Sequence, residues 1–135
     1  MTDQALAKID GLIAAFYGVF DNRASHALKI SELVAMFTPH ARITRMAANG
    51  VDEWTVDEFV SPRATLLTNS TLEDFHEWEV EAKTLVSGNI ASRFSRYRKQ
   101  GVLSGAPYTG GGVKFIQLCN SSEGWKITSI LWEDA

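Results

Sequence analysis

What this chain lacks bounds it before any motif is read. It has one cysteine, Cys119, so no internal disulfide can staple it. A lone thiol on an apolar run reads as a small buried hydrophobe in a reducing compartment. No apolar stretch approaches the ~20 residues that a membrane span requires. Basic residues are not in excess: 13 Lys and Arg stand against 16 Asp and Glu, which leaves no footprint for nucleic acid or an anionic membrane surface. The first residues carry Asp3, Lys8 and Asp10 in a helical pattern instead of a cationic start before an apolar core, so no secretory signal is expected. Asn69-Ser70-Thr71 and Asn120-Ser121-Ser122 then read as turns, not glycosylation sites, and the expected location is cytoplasmic. No linker, internal repeat or low-complexity tract breaks the chain. With 45% apolar residues over 135 positions, residues 1–135 are expected to form one domain that removes about two-thirds of its unfolded surface from water.

The apolar residues are periodic. Leu6, Ile9, Ile13, Phe16 and Phe20 recur at helical spacing, with Thr2 as N-cap and Tyr17 beside the stripe. A second helix is expected from about Ser25 or Ala27 to Phe37, with Leu28, Leu33 and Phe37 inward and a stop before Pro39. Ala41 to Met46 reads as a short strand closed by Ala48-Asn49-Gly50. Thr55-Val56-Asp57-Glu58 is a capping box, and Trp54 and Phe59 occupy the positions of a hydrophobic staple. Ser61-Pro62 is expected to interrupt that helix, with Ser61 capping a second short segment to about Leu67.

Strands follow. Leu72 to Val86 and Ile90 to Lys99 flank Ser87-Gly88-Asn89, a hairpin turn. A loop of Ser87-Gly88 sets Glu79 opposite Arg96 and Glu77 opposite Arg98; a loop of Gly88-Asn89 sets Glu81 opposite Arg96 and Glu79 opposite Arg98. Either register puts Glu77, Glu79 and Glu81 on one face, and His76, Trp78, Val80 and Ala82 with Ala91, Arg93, Ser95 and Tyr97 on the other. Gly101 to Gly112, with Pro107 and a glycine triplet, is expected to be a loop. The last hairpin, Val113 to Cys119 and Trp125 to Trp132, is apolar on both parities, so it is expected to be covered on both faces. Helices first and antiparallel strands after them make the fold class α+β.

This order resembles the nuclear transport factor 2-like superfamily. The residues that carry the likeness are Phe16-Tyr17-Gly18-Val19-Phe20-Asp21-Asn22-Arg23, the break at Phe37-Thr38-Pro39-His40-Ala41, and Gly124-Trp125-Lys126-Ile127. The closing Leu131-Trp132-Glu133-Asp134 is similar to a polyketide-cyclase-like bacterial subgroup often without assigned activity. The resemblance implies a curved antiparallel sheet wrapped around N-terminal helices, a cone with a central pocket, and a homodimer through the convex sheet face. Ketosteroid isomerase-like members use a first-strand carboxylate base with a Tyr and a protonated Asp. Here that strand offers Thr44, Arg45 and Met46, and Val113 to Cys119 contains no acid, so this mechanism is not expected.

The candidate ligand-binding residues are Phe16, Tyr17, Arg45, Trp54, Phe59, Arg93, Tyr97 and Trp132. Tyr17 and Arg93 are the expected polar anchors, since a guanidinium among small neighbours could hold an anionic or carbonyl-bearing ligand. The alternative places Arg93 at the sheet rim or a dimer interface, its stem against Trp78. His40 reads as a turn residue, His26 as the solvated start of helix two, and His76 as pocket or interface. Their spacings match no zinc pattern, so neither a metal nor another cofactor is implied. The function expected is a small-molecule-binding pocket, with isomerase, lyase or hydrolase chemistry open. The alternative is a non-catalytic homodimeric interaction module.

Overall fold

The computed structural model describes residues 2–25 and 29–135. The first apolar stripe becomes α1 (Thr2–Val19), with Ile9, Ile13 and Phe16 fully buried and Phe20 buried just past its end. A short α2 (Ile30–Ala35) buries Leu33. The Thr2 cap, His26, and the expected helix start at Ser25 or Ala27 with Leu28 inward fall outside the described residues and side chains. Phe37 is buried but opens a strand instead of closing the helix.

That strand, β1 (Phe37–Ala47), runs through Pro39 and His40 and pairs with β2 (Gly50–Trp54), an edge strand the sequence reading left out. β2 is short, acidic and exposed at alternate positions, so it carries little apolar signal. The capping box forms as expected: the Thr55 hydroxyl accepts from the Glu58 N–H at 3.3 Å, and the Thr55 N–H donates to Glu58 Oε1 at 2.9 Å. The helix it starts, α3 (Val56–Thr68), runs through Pro62 without a break. Pro62 costs one intrahelical bond, yet Val56, Phe59 and Val60 before it and Leu67 after it are all buried. Packing on both sides of the proline overrides the local stop signal.

Four long strands complete the sheet: β3 (Leu72–Ser87), β4 (Ile90–Leu103), β5 (Ala106–Ser121) and β6 (Gly124–Asp134). The order is β2-β1-β6-β5-β4-β3, antiparallel throughout except for the parallel contact of β1 with β6. The sheet curves without closing, and the helices fill its concave side. The expected loop from Gly101 to Gly112 is instead a hairpin turning at Ser104-Gly105. Its glycine triplet lies inside β5, where neighbouring backbone approaches Gly111 and Gly112 too closely for a side chain.

Two of the sheet's register shifts set the direction of the residues at the site. The β3–β4 turn is Gly88-Asn89, with Glu81 opposite Arg96 as one expected register has it. Between Glu81 and Glu79 the ladder then slips, because Val80 is an extra residue on β3. Glu79 pairs with Tyr97 and Glu77 with Lys99, so both acids turn into the concave face while Trp78 and His76 turn outward. The expectation that Glu77 and Glu79 share a face with Glu81 is thereby corrected. A one-residue slip moves every later side chain across the sheet.

The second bulge lies on β6, where Thr128 is extra between Ile127 and Ser129. It puts Trp125 and Ile127 on the same buried face as Ile130 and Trp132. On β5, Lys114, Ile116 and Leu118 point inward as well. The two-sided apolar pattern of this hairpin was therefore largely the signature of a bulge. Only Phe115 (51% exposed) and Leu131 (46%) remain as large apolar residues on its outer face.

Candidate functional site

Between α1, α3 and the concave sheet lies a cavity of about 320 Å³. One side is aromatic. Trp54, at the end of β2, stacks on Trp132 of β6 with ring centres 5.6 Å apart and planes 20° from parallel. Phe59 of α3 meets the Trp132 ring edge-on at 5.8 Å, and Phe20 meets Phe59 likewise at 6.3 Å. The staple pair Trp54 and Phe59 thus forms part of the cavity wall as well as fixing the entry of α3.

The other side is polar, and every group on it is bonded. The Tyr97 hydroxyl donates to Asp134 Oδ1, and Lys99 Nζ reaches the same oxygen at 3.3 Å. Lys114 Nζ donates to Glu77 Oε1 at 2.5 Å and sits 3.6 Å from the centre of the Tyr97 ring. Gly112 makes this convergence possible. A Cβ there would lie 2.8 Å from the Tyr97 oxygen and 2.9 Å from the Asp134 Cα. Burial, reinforced by the Asp134 carboxylate, pushes the Tyr97 phenol far above its ordinary value, so it stays protonated. Burial opposes ionisation of Asp134, yet the Tyr97 hydroxyl and the Lys99 charge hold its carboxyl below the usual range. Burial pulls the Lys114 amine down against the opposing pull of Glu77.

Two arginines flank the indole pair. Arg45 on β1 lies 5.5 Å from the Trp54 ring and is bonded to Asp52 of β2 at 2.6 Å. Arg63 on α3 lies 3.9 Å from the centre of the Phe59 ring, 5.2 Å from Trp54 and 5.6 Å from Trp132. Its Nη1 donates to the Phe59 carbonyl at 3.0 Å. Burial, with the nearby Arg45 charge, pushes its guanidinium down to about 10.

A second, more open cleft of about 690 Å³ lies between α1 and the β3–β4 hairpin. Arg93 projects into it but is already engaged. It donates to Glu79 from Nε at 3.1 Å and from Nη2 at 2.5 Å, to Asp10 at 2.6 Å and to Thr84 at 3.0 Å. Ser95 donates to Glu79 at 2.6 Å, and the Tyr17 hydroxyl is bonded to Ser95 at 2.8 Å. Burial works against the Arg93 charge, but Glu79 and Asp10 more than offset it.

Of the eight candidate residues, Phe16, Arg45, Trp54, Phe59, Tyr97 and Trp132 line the first cavity, and Tyr17 and Arg93 line the second. Glu77, Lys99, Arg63, Lys114 and Asp134 also line the first cavity and were not among the candidates. Lys114 and Asp134 sit on a hairpin that is apolar on both parities in the sequence, so their direction shows only in the structure; Glu77 is turned inward by the Val80 bulge. Among the described residues, no group of three His, Cys, Asp or Glu is placed to hold a metal ion. None of the helices among them is long and apolar enough to cross a membrane.

No protein-family model matches this chain, and no curated protein sequence does. Solved structures do. A nuclear transport factor 2-like superfamily protein from Salmonella enterica serovar Typhimurium superimposes with a TM-score of 0.76 at 14% identity, over 98% of this chain and 92% of that one. The chain has the nuclear transport factor 2-like fold. A candidate dehydratase of that family from Streptomyces avermitilis matches with a TM-score of 0.78 at 14% identity, over 100% and 99% of the two chains. A candidate aromatic ring hydroxylase from Novosphingobium aromaticivorans gives 0.78 at 17% identity, over 98% and 90%. A protein of unknown function from Nostoc punctiforme, described as having a cystatin-like fold, gives 0.67 at 15%. At these identities the likeness speaks to the fold, and the chemistry must be argued from the nuclear transport factor 2-like cone's own side chains.

Proposed function

We propose that this protein binds a small, largely apolar, carbonyl-bearing molecule in the 320 Å³ cavity and performs acid–base chemistry on it, as an isomerase or lyase. The observation that carries the reading is the pairing of an aromatic wall with convergent, ion-paired polar groups in one concavity, the usual form of a small-molecule site. Tyr97, held protonated, is suited to turn its single O–H from Asp134 to the carbonyl oxygen of an entering ligand, with Lys99 left to hold the Asp134 carboxylate. Glu77, kept beside the Lys114 ammonium, is suited to take the proton from the adjacent carbon. The electron pair left behind moves onto the oxygen facing Tyr97. Candidate dehydratase assignments among the structural neighbours and the polyketide-cyclase-like ending Leu131 to Asp134 agree with chemistry of this kind. A non-catalytic interaction module would have no use for such a cavity.

Phe115, Leu131 and Met46 are exposed on the outer face, and a second copy of the chain is the cover we propose for them. The function is tested with a panel of hydrophobic enones and β-hydroxy ketones in deuterated buffer. Expected are ligand-dependent thermal stabilisation and deuterium incorporation next to the carbonyl, with Glu77→Gln abolishing incorporation but not stabilisation. Absence of stabilisation by any compound, or undiminished incorporation in the variant, would overturn the reading.

A further inference from the structure

We infer that Arg63 forms a carboxylate-binding subsite, so that the ligand of the cavity is a planar monocarboxylate with its acid group against α3; this rests on the cavity's being the binding site. The argument begins from the charges that line the cavity. Arg45, Lys99 and Lys114 each have a carboxylate partner: Asp52 at 2.6 Å, Asp134 at 3.3 Å and Glu77 at 2.5 Å. Arg63 lines the same cavity, and among the described residues no carboxylate is bonded to it. Four cations thus stand against three carboxylates, and one positive charge is left over. Taking an unpaired charge partly out of water is unfavourable unless an opposite charge arrives.

Geometry narrows the kind of anion. A guanidinium offers five N–H donors in a planar fork, and only Nη1 is engaged, by the Phe59 carbonyl. The fork suits the two oxygens of a carboxylate. An excess of one charge matches a carboxylate, whereas a phosphate monoester brings about −1.5 to −2. The rings of Trp54, Phe59 and Trp132 around Arg63 favour a flat, conjugated body behind the acid group. Tyr97 and Glu77 line the same cavity, so such a ligand meets Arg63 at one end and the acid–base groups at another.

The experiment is calorimetric titration of the purified protein with cinnamate, benzoate and sorbate, and with the primary amide of each. The carboxylates are expected to bind at least about tenfold more tightly than their amides. Arg63→Gln should bring carboxylate affinity down to the amide level and leave the amides unchanged, and Arg63→Lys should fall between, since lysine keeps the charge and loses the fork. Amides binding as tightly as acids, wild-type carboxylate affinity in Arg63→Gln, or phenyl phosphate binding more tightly than every carboxylate would each overturn the subsite and leave the cavity reading standing. If no carboxylate and no amide binds the wild type, this inference fails, and the enone and β-hydroxy ketone panel decides separately whether the cavity reading fails with it.

Discussion

Arg93 and Tyr97 leave the same face of β4 four positions apart, and what surrounds each decides what each can do. Around Arg93, Glu79, Asp10 and Thr84 take four of the five N–H donors, and Ser95 links Glu79 to Tyr17. That cluster is closed, and a ligand entering the neighbouring cleft would have to displace an existing ion pair to be recognised. Around Tyr97 the pairs Lys114–Glu77 and Lys99–Asp134 border a cavity, and beyond them no carboxylate among the described residues is bonded to Arg63. Buried charge that balances internally supports the fold. Charge left over beside an aromatic wall leaves work for a ligand.

The largest expected effect comes from removing the device that creates both groups. Deleting Val80 removes the slip between Glu79 and Glu81 and carries Glu77 and Glu79 to the convex face. Arg93 would then lose Glu79 and keep only Asp10 and Thr84, and Lys114 would be buried without its Glu77 partner. Breaking a buried pair costs about 3 to 5 kcal/mol, and two such losses consume most of the about 5 to 15 kcal/mol that holds a domain folded. Circular dichroism and size-exclusion chromatography should therefore find no cooperative native state. A deletion variant melting near the wild-type temperature would show that the bulge is not what orients the acids.

Next in size is Arg93→Met, which strands Glu79 and Ser95 in the closed cluster alone. A loss of about 3 kcal/mol is expected in urea denaturation, with carboxylate binding in the cavity unchanged once the variant is folded. If binding falls in step with stability, the two groups are not separate and the comparison fails.

Much of this was legible in the sequence, and the failures share a cause. The α1 stripe, the capping box, a hairpin turn within Ser87-Gly88-Asn89 and the aromatic residues of the cavity could be read because periodicity and local chemistry specify them. Glu77 could not, because its direction depends on Val80, and an extra residue in a ladder leaves no mark on composition or propensity. The same holds for Thr128, whose bulge made a one-sided hairpin look two-sided. Arg63 was hidden differently. Its importance lies in the absence of a carboxylate partner among the described residues, which only three-dimensional placement shows. Gly110-Gly111-Gly112 suggested flexibility, yet Gly112 is needed because the Tyr97 hydroxyl and Asp134 occupy the space a side chain would take.

The smallest expected effect is the sharpest test of the open group. Tyr97→Phe removes the hydroxyl that donates to Asp134, while Lys99 remains on the same oxygen. The loss at neutral pH should be about 1 kcal/mol, because Asp134 keeps its cation and some contact with water. Acid should shrink that loss. Despite burial, the Tyr97 hydrogen bond and the Lys99 charge hold the folded Asp134 carboxyl below its ordinary value. Its contribution is therefore complete above the unfolded value, about 4, and is lost as pH falls through the lower folded value, where the unfolded chain binds the extra proton. Urea curves for wild type and variant should run parallel from pH 7 to 5 and converge below about 4. A gap that widens on acidification would mean that Tyr97 faces a neutral carboxyl. The polar wall would then hold one carboxylate fewer, and the excess of positive charge assigned to Arg63 would have to be shared across the cavity instead of standing at its aromatic end.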